Sequence, residues 1–162
     1  MTFTEPAVWY HEFTFWETNP GRPEPVPAEY FTRPFSAAEF ARFPAIERLY
    51  PRGKTTAAFP VPAQLHLPAE YQQLLAYSDG GVILSGKQEF SYFTAEDIRG
   101  YYIAYGFPIW APALLPIALN GGGIFYAYDF SRPGPPPIVA VAAADVDPDS
   151  ARRLGSTLAE VL

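Results

Sequence analysis

Nineteen prolines in 162 residues set the tightest limit on what this chain can become. Proline lacks an amide donor and holds φ at about −65°, so it is excluded from helix interiors and central strands. The longest apolar stretch, residues 105–119, is cut by Pro108, Pro112 and Pro116. That spacing rules out a membrane-spanning helix, which needs about 20 uninterrupted apolar residues. Twelve glycines add turn positions. The chain is therefore expected to form short elements joined by stiff loops.

Residues 8–17 alternate loosely and are rich in Trp9, Tyr10, Phe13, Phe15 and Trp16, which predicts a strand. The spaced prolines of residues 19–27 predict an extended connector crossing the surface. Ser36-Ala37-Ala38-Glu39 is a capping box, with Phe35 and Phe40 at the positions of a hydrophobic staple. The helix it opens shows Phe40 and Phe43 on one side until Pro44 interrupts it. Ile46, Leu49 and Tyr50 continue a second apolar face, and residues 52–64 read as loop.

Pro68 suits the start of a helix, Glu70 complements its dipole, and Tyr71, Leu74 and Leu75 form its buried stripe. Ser78-Asp79-Gly80-Gly81 ends it. Residues 82–84 and 89–93 read as strands. Thr94 caps a further helix in which Ile98, Tyr101, Tyr102 and Tyr105 recur at helical spacing. Residues 115–119 and 124–130 form a hairpin about the turn Asn120-Gly121-Gly122-Gly123. Alternation puts Ile124, Tyr126, Tyr128 and Phe130 on one face, and Phe125, Ala127 and Asp129 on the other. A strand follows at 138–141. Asp147-Pro148 opens a final helix with Ala151, Leu154, Leu158 and Val161 or Leu162 inward. Helices outside a run of hairpins imply an α+β domain, a largely antiparallel sheet packed by helices.

Composition narrows the function. Hydrophobic residues make up 49% and charged residues 17%, enough apolar surface to offset the entropy of ordering. Cysteine is absent, which excludes disulfides, thiolate zinc sites and a cysteine nucleophile. The first residues show neither basic charge nor an apolar core of a signal peptide, so a cytoplasmic protein is expected. Net charge is −6, and from Val61 onward there are ten acids against five bases. Such a surface repels phosphate backbones and attracts basic partners, so neither direct nucleic-acid binding nor membrane insertion is expected.

No catalytic constellation emerges. His11 and His66 are the only histidines, and neither has an acid at ligand spacing, so no metal site is expected. The Walker, Rossmann and Gly-x-Ser-x-Gly patterns are absent. Gly121-Gly122-Gly123 runs from strand to strand and presents no helix dipole to an anion. Asp79 and Asp129 could serve as a carboxylate pair, but each has an ordinary turn or strand-end explanation. Glu96-Asp97 and Asp145-Val146-Asp147 sit where helices are expected to start. No cofactor is expected.

Two readings stay open for the aromatic residues Tyr101, Tyr102, Tyr105, Phe107, Trp110, Phe125, Tyr126 and Tyr128. They form a core, or they line a concave binding surface on which Trp110, flanked by prolines, is the anchor. On the second reading the partner contacts are Tyr105, Trp110, Tyr126, Tyr128, Asp129, Asp145 and Asp147. A small-molecule pocket or hydrolase with aromatic walls is the alternative.

Residues 67–75, closed by Asp79-Gly80-Gly81, resemble the opening helix and Gly-Gly loop of the SUKH superfamily. Residues 115–123, followed by Phe125-Tyr126-Ala127-Tyr128-Asp129, resemble its central hairpin, and residues 158–162 its closing helix. The family includes yeast regulators of cell-wall synthesis and bacterial immunity proteins that neutralise polymorphic toxins. The resemblance implies an α+β fold and a non-catalytic, protein-binding role; with the acidity, the expected reading is an immunity protein for a basic toxin domain, or a related regulatory adaptor. It covers residues 36–162, with Asp79, Gly80, Gly81, Asn120, Gly121, Gly122 and Gly123 as its structural turns. Residues 1–35 have no counterpart and form an aromatic-strand and proline-rich extension. That strand could pair with its copy in a homodimer.

Overall fold

The computed structural model describes residues 8–41 and 61–162. Seven strands form one antiparallel sheet in which spatial order follows sequence order. They are β1 (Thr14–Thr18), β2 (Gly81–Ser85), β3 (Gln88–Tyr92), β4 (Leu114–Leu119), β5 (Ile124–Asp129), β6 (Ile138–Ala142) and β7 (Arg152–Gly155). The helices are α1 (Ala37–Ala41), α2 (Ala69–Tyr77), α3 (Ala95–Ala104), α4 (Phe107–Trp110) and α5 (Leu158–Val161). This is the α+β domain expected from the run of hairpins. Ile46, Leu49, Tyr50 and most of the loop at 52–64 lie outside the described residues.

Both faces of the sheet are covered, so β5 buries residues of both parities: Phe125, Tyr126, Ala127 and Tyr128 are all in the core. On one face α2 packs Tyr71 edge-on against Tyr92 and Tyr128. On the other, Tyr101 of α3 stacks on Phe93 at 4.3 Å between centroids, and Phe107 of α4 meets Phe125. Only two residue pairs join β3 to β4. Tyr71 reinforces that short ladder: its buried hydroxyl is 2.7 Å from the Phe93 carbonyl and 2.9 Å from that of Ile117, and it accepts the Phe93 amide.

Two expectations are corrected. Residues 8–17 are not one strand: Trp9–Glu12 form a 3-10 turn and only Thr14–Thr18 pair, with β2. The turn buries Tyr10 and lets the Trp9 indole donate to the Glu70 carbonyl, which a straight strand would not do. The single final helix is also replaced. Asp147 caps a 3-10 turn at Pro148–Ser150, the chain becomes extended at Ala151, and β7 pairs with β6. Helix α5 starts only at Leu158, where the Thr157 hydroxyl accepts the Glu160 amide and the Glu160 carboxylate accepts the Ser156 amide. Without β7 the outer hydrogen-bonding groups of β6, a largely buried strand, would lack partners, and that cost outweighs local helix propensity.

The N-terminal segment lies across α2 and α3. Val26 and Phe31 are buried in the same core as the sheet. Gln72 exchanges both its amide groups with the backbone of Val26, and Arg22 pairs with Glu96 at 3.0 Å. Arg99 on α3 is only 4% exposed. It forms a two-pronged ion pair with Glu39 (2.8 and 2.9 Å) and donates to the carbonyls of Tyr30, Arg33 and Pro34. Its guanidinium also lies over the Phe35 ring at 4.3 Å. The capping box is formed as expected, Ser36 and Glu39 exchanging hydrogen bonds of 3.0 and 3.2 Å.

Candidate functional site

Where α3 ends, Gly106 takes a left-handed φ of 73° and turns the chain into α4. A side chain at this position would also overlap the Trp110 ring, which lies against the Gly106 backbone. The lack of a Cβ thus lets the Trp110 ring pack on the backbone while leaving it 51% exposed. Tyr105, the last residue before that turn, is 36% exposed. One edge of its ring is held by Phe125 at 4.9 Å between centroids and one face by Tyr101.

Facing these rings is the loop that follows β6. The Ala143 amide bonds the Gly123 carbonyl at 2.9 Å, which ties this loop to the glycine turn. Val146 is buried and holds the loop down, leaving Asp145 exposed and Asp147 half-buried. Tyr105, Trp110, Ala143, Ala144, Asp145, Val146 and Asp147 line one open notch of about 330 Å³. Four of the seven residues expected to contact a partner therefore come together there. The two carboxylates accept weak hydrogen bonds from Ser150, and Asp147 also accepts the Asp149 amide.

The other three go elsewhere. Tyr128 is fully buried and its hydroxyl donates to Glu70 at 2.8 Å; burial first and the neighbouring carboxylate second push that hydroxyl well above its ordinary range. Tyr126 is 5% exposed and bonded to Gln88. Both tyrosines are core residues: Tyr128 has no exposed surface, and Tyr126 reaches only a separate cleft with Gln88 and Ile124. Asp129 lines a neighbouring cleft with Arg132 and Arg153, and its carboxylate accepts the Ser131 amide.

The turn residues are turns. The Asn120 side chain accepts the amides of Gly122 and Ile124, and Gly121 and Gly123 have φ of 80° and 83°. Asp79 follows α2, its amide on the Pro20 carbonyl; burial raises its carboxyl, and one of its oxygens has no partner among the described residues. Asp79 and Asp129 share none of the described clefts. Among the described residues no three metal-binding side chains converge, and no helix is long and apolar enough to cross a membrane. His66 is exposed and its ring lies against Phe130.

Residues 63–162, the sheet from β2 onward with the whole notch, match the SMI1 / KNR4 family (SUKH-1). The chain belongs to this family. No curated protein matches it.

Two residues whose importance the sequence did not show hold this SUKH-1 domain together. Glu70, expected only to complement a helix dipole, joins three elements: its carboxylate accepts Tyr128 and the Leu158 amide, and its carbonyl accepts the Trp9 indole. Arg99 was one helical cation among five in that part of the chain. In Thr157-Leu158-Ala159-Glu160 the capping-box pattern at the start of α5 was visible and was the signal to follow.

Proposed function

We propose that this chain is a non-catalytic, cytoplasmic protein-binding module, an immunity protein that neutralises a basic toxin domain or a related regulatory adaptor. The notch of Tyr105, Trp110, Asp145 and Asp147 is its partner-binding face. The observation that carries this reading is the exposure of Trp110 and Tyr105 beside two carboxylates at an open notch. Large exposed aromatics supply contact area with few rotamers to freeze. Surface acids accelerate encounter with a basic partner. A SUKH-1 domain with this arrangement fits recognition of a protein surface better than an enclosed small-molecule pocket. Residues 36–162 form the binding domain in this proposal, and residues 1–35 are an extension whose described part, 8–35, braces it.

The test is capture from lysate of the source cells with the tagged chain, followed by mass spectrometry. A basic protein retained by wild type and lost by Trp110→Ala is the expected result. With that partner purified, Asp145→Asn/Asp147→Asn should slow association at low salt by roughly tenfold, while 0.5 M salt erases the difference. Equal capture by wild type and Trp110→Ala overturns the notch as the binding face.

The outer edge of β1 favours a second reading, a homodimer. It has no neighbouring strand among the described residues and carries Trp16 at 70% exposure. The β-bulge between Phe15 and Glu17 disturbs that edge and counts against continuous pairing. Light scattering that shows a monomer of the full chain removes this reading.

A further inference from the structure

Charge is balanced locally in three other clefts of the described surface. Glu39 and Glu96 share one with Arg99 and Arg33, Glu160 shares another with Arg152, and Asp129 and Asp149 share a third with Arg132 and Arg153. The notch differs: among the described residues no lysine or arginine lines it, and its two acids accept a hydroxyl and a backbone amide. Two acids alone would make a solvated patch. Here they line one notch with an indole packed against Gly106 and a phenol ring packed on Phe125 and Tyr101, both open to solvent.

We infer that the notch is a receptor for one arginine side chain of the partner, its guanidinium stacked on Trp110 or Tyr105 and bonded to Asp145 and Asp147. This rests on the notch being the partner-binding face. Guanidinium is planar, weakly hydrated and able to meet a carboxylate with two parallel hydrogen bonds while its face covers an aromatic ring. Lysine has the charge without the plane, and its ammonium is held more strongly by water. Both rings are already packed against their neighbours in the free protein, Trp110 on the Gly106 backbone and Tyr105 on Phe125 and Tyr101, which lowers the rotamer freedom lost when the cation arrives. Arg99 shows the same chemistry within this fold, paired to Glu39 and lying over Phe35.

The experiment uses the full ¹⁵N-labelled chain and three capped tripeptides, Gly-Arg-Gly, Gly-Lys-Gly and Gly-citrulline-Gly. The reporter is the Trp110 indole N–H signal, assigned by its loss in Trp110→Phe; Trp9 and Trp16 serve as internal controls. The arginine peptide should shift the Trp110 signal saturably, roughly fivefold more tightly than the lysine peptide. The citrulline peptide, of nearly the same shape but uncharged, should leave it in place. Asp145→Asn/Asp147→Asn should abolish the shift while the rest of the spectrum keeps its dispersion. Equal affinity for arginine and lysine, or no shift with arginine, overturns the inference. Partner capture decides the underlying reading separately. No shift with arginine, together with capture that still depends on Trp110, removes the arginine receptor alone. A shift with arginine but capture independent of Trp110 removes the notch as the partner face and, with it, the assignment of the arginine to the partner.

Discussion

Arg99 is the residue on which the N-terminal segment depends. It is a buried cation whose donors are met by one carboxylate and three carbonyls, an arrangement in which loss of any partner leaves charge unsatisfied. Burial acts to raise the Glu39 carboxyl, but hydrogen bonds from Arg99 and Ser36 prevail and hold it below its ordinary value. A carboxyl lowered in the folded state contributes stability above its unfolded pKa, near 4.5, and that contribution is lost as pH falls through the folded value. Glu39→Gln should therefore cost about 1–3 kcal/mol at pH 7, towards the low end because Glu39 is partly open to solvent. The cost should shrink below pH 4, as urea unfolding at pH 7 and pH 3 will show. The Ser36–Glu39 box was plain in the sequence because capping is local. That Glu39 also meets Arg99, 60 residues away, was not, because nothing local marks a helical arginine as buried.

At the scale of elements, the helices with apolar spacing and the central hairpin were legible, and the C-terminal region was not. Helix propensity and an apparent stripe of Ala151, Leu154 and Leu158 suggested one helix, while Arg152–Gly155 lacks the alternation that marks a strand. Strand β7 exists because β6 offers it an edge, so its cause lies in another element. Thr157 caps α5, and that helix anchors the Leu158 amide on Glu70. Thr157→Ala should destabilise the fold by about 0.5–2 kcal/mol. Hydrogen exchange should show the loss first at Glu160, Val161 and Leu162, with the amides of β5 unchanged. Uniform loss of protection across the sheet would mean that α5 and the sheet unfold as one unit.

Over the whole molecule, the SUKH-1 match ends at residue 63 on its N-terminal side, but the core does not. Tyr10, Val26 and Phe31 are buried with Tyr71, Leu74 and Ile98, and β1 covers the edge of β2. A chain limited to residues 63–162 would expose those apolar surfaces and leave Arg99 without its carboxylate and carbonyls. It should give a poorly dispersed NMR spectrum and no cooperative thermal transition, whereas the full chain melts cooperatively. A folded fragment would show that residues 8–41 are ornament. The same dependence makes the notch a property of the whole fold, since its two walls are brought together by β5 and β6 and by the core beneath Phe125.

By itself the sequence determined the class of fold, the glycine turns at residues 79–81 and 120–123, and the acidity. Those properties depend on local backbone chemistry and on composition, which act over a few residues or over none. The tertiary structure decided which aromatics are core and which are surface. Tyr128 is sealed in and Tyr126 nearly so because helices cover both faces of the sheet, and Tyr105 and Trp110 remain outside because Gly106 turns the chain at the rim. It also brought Asp145 and Asp147 into one notch with those rings and sent Asp129 to a cleft with arginines of its own. Burial and proximity are sums over elements distant in sequence, and no single stretch of chain carries them.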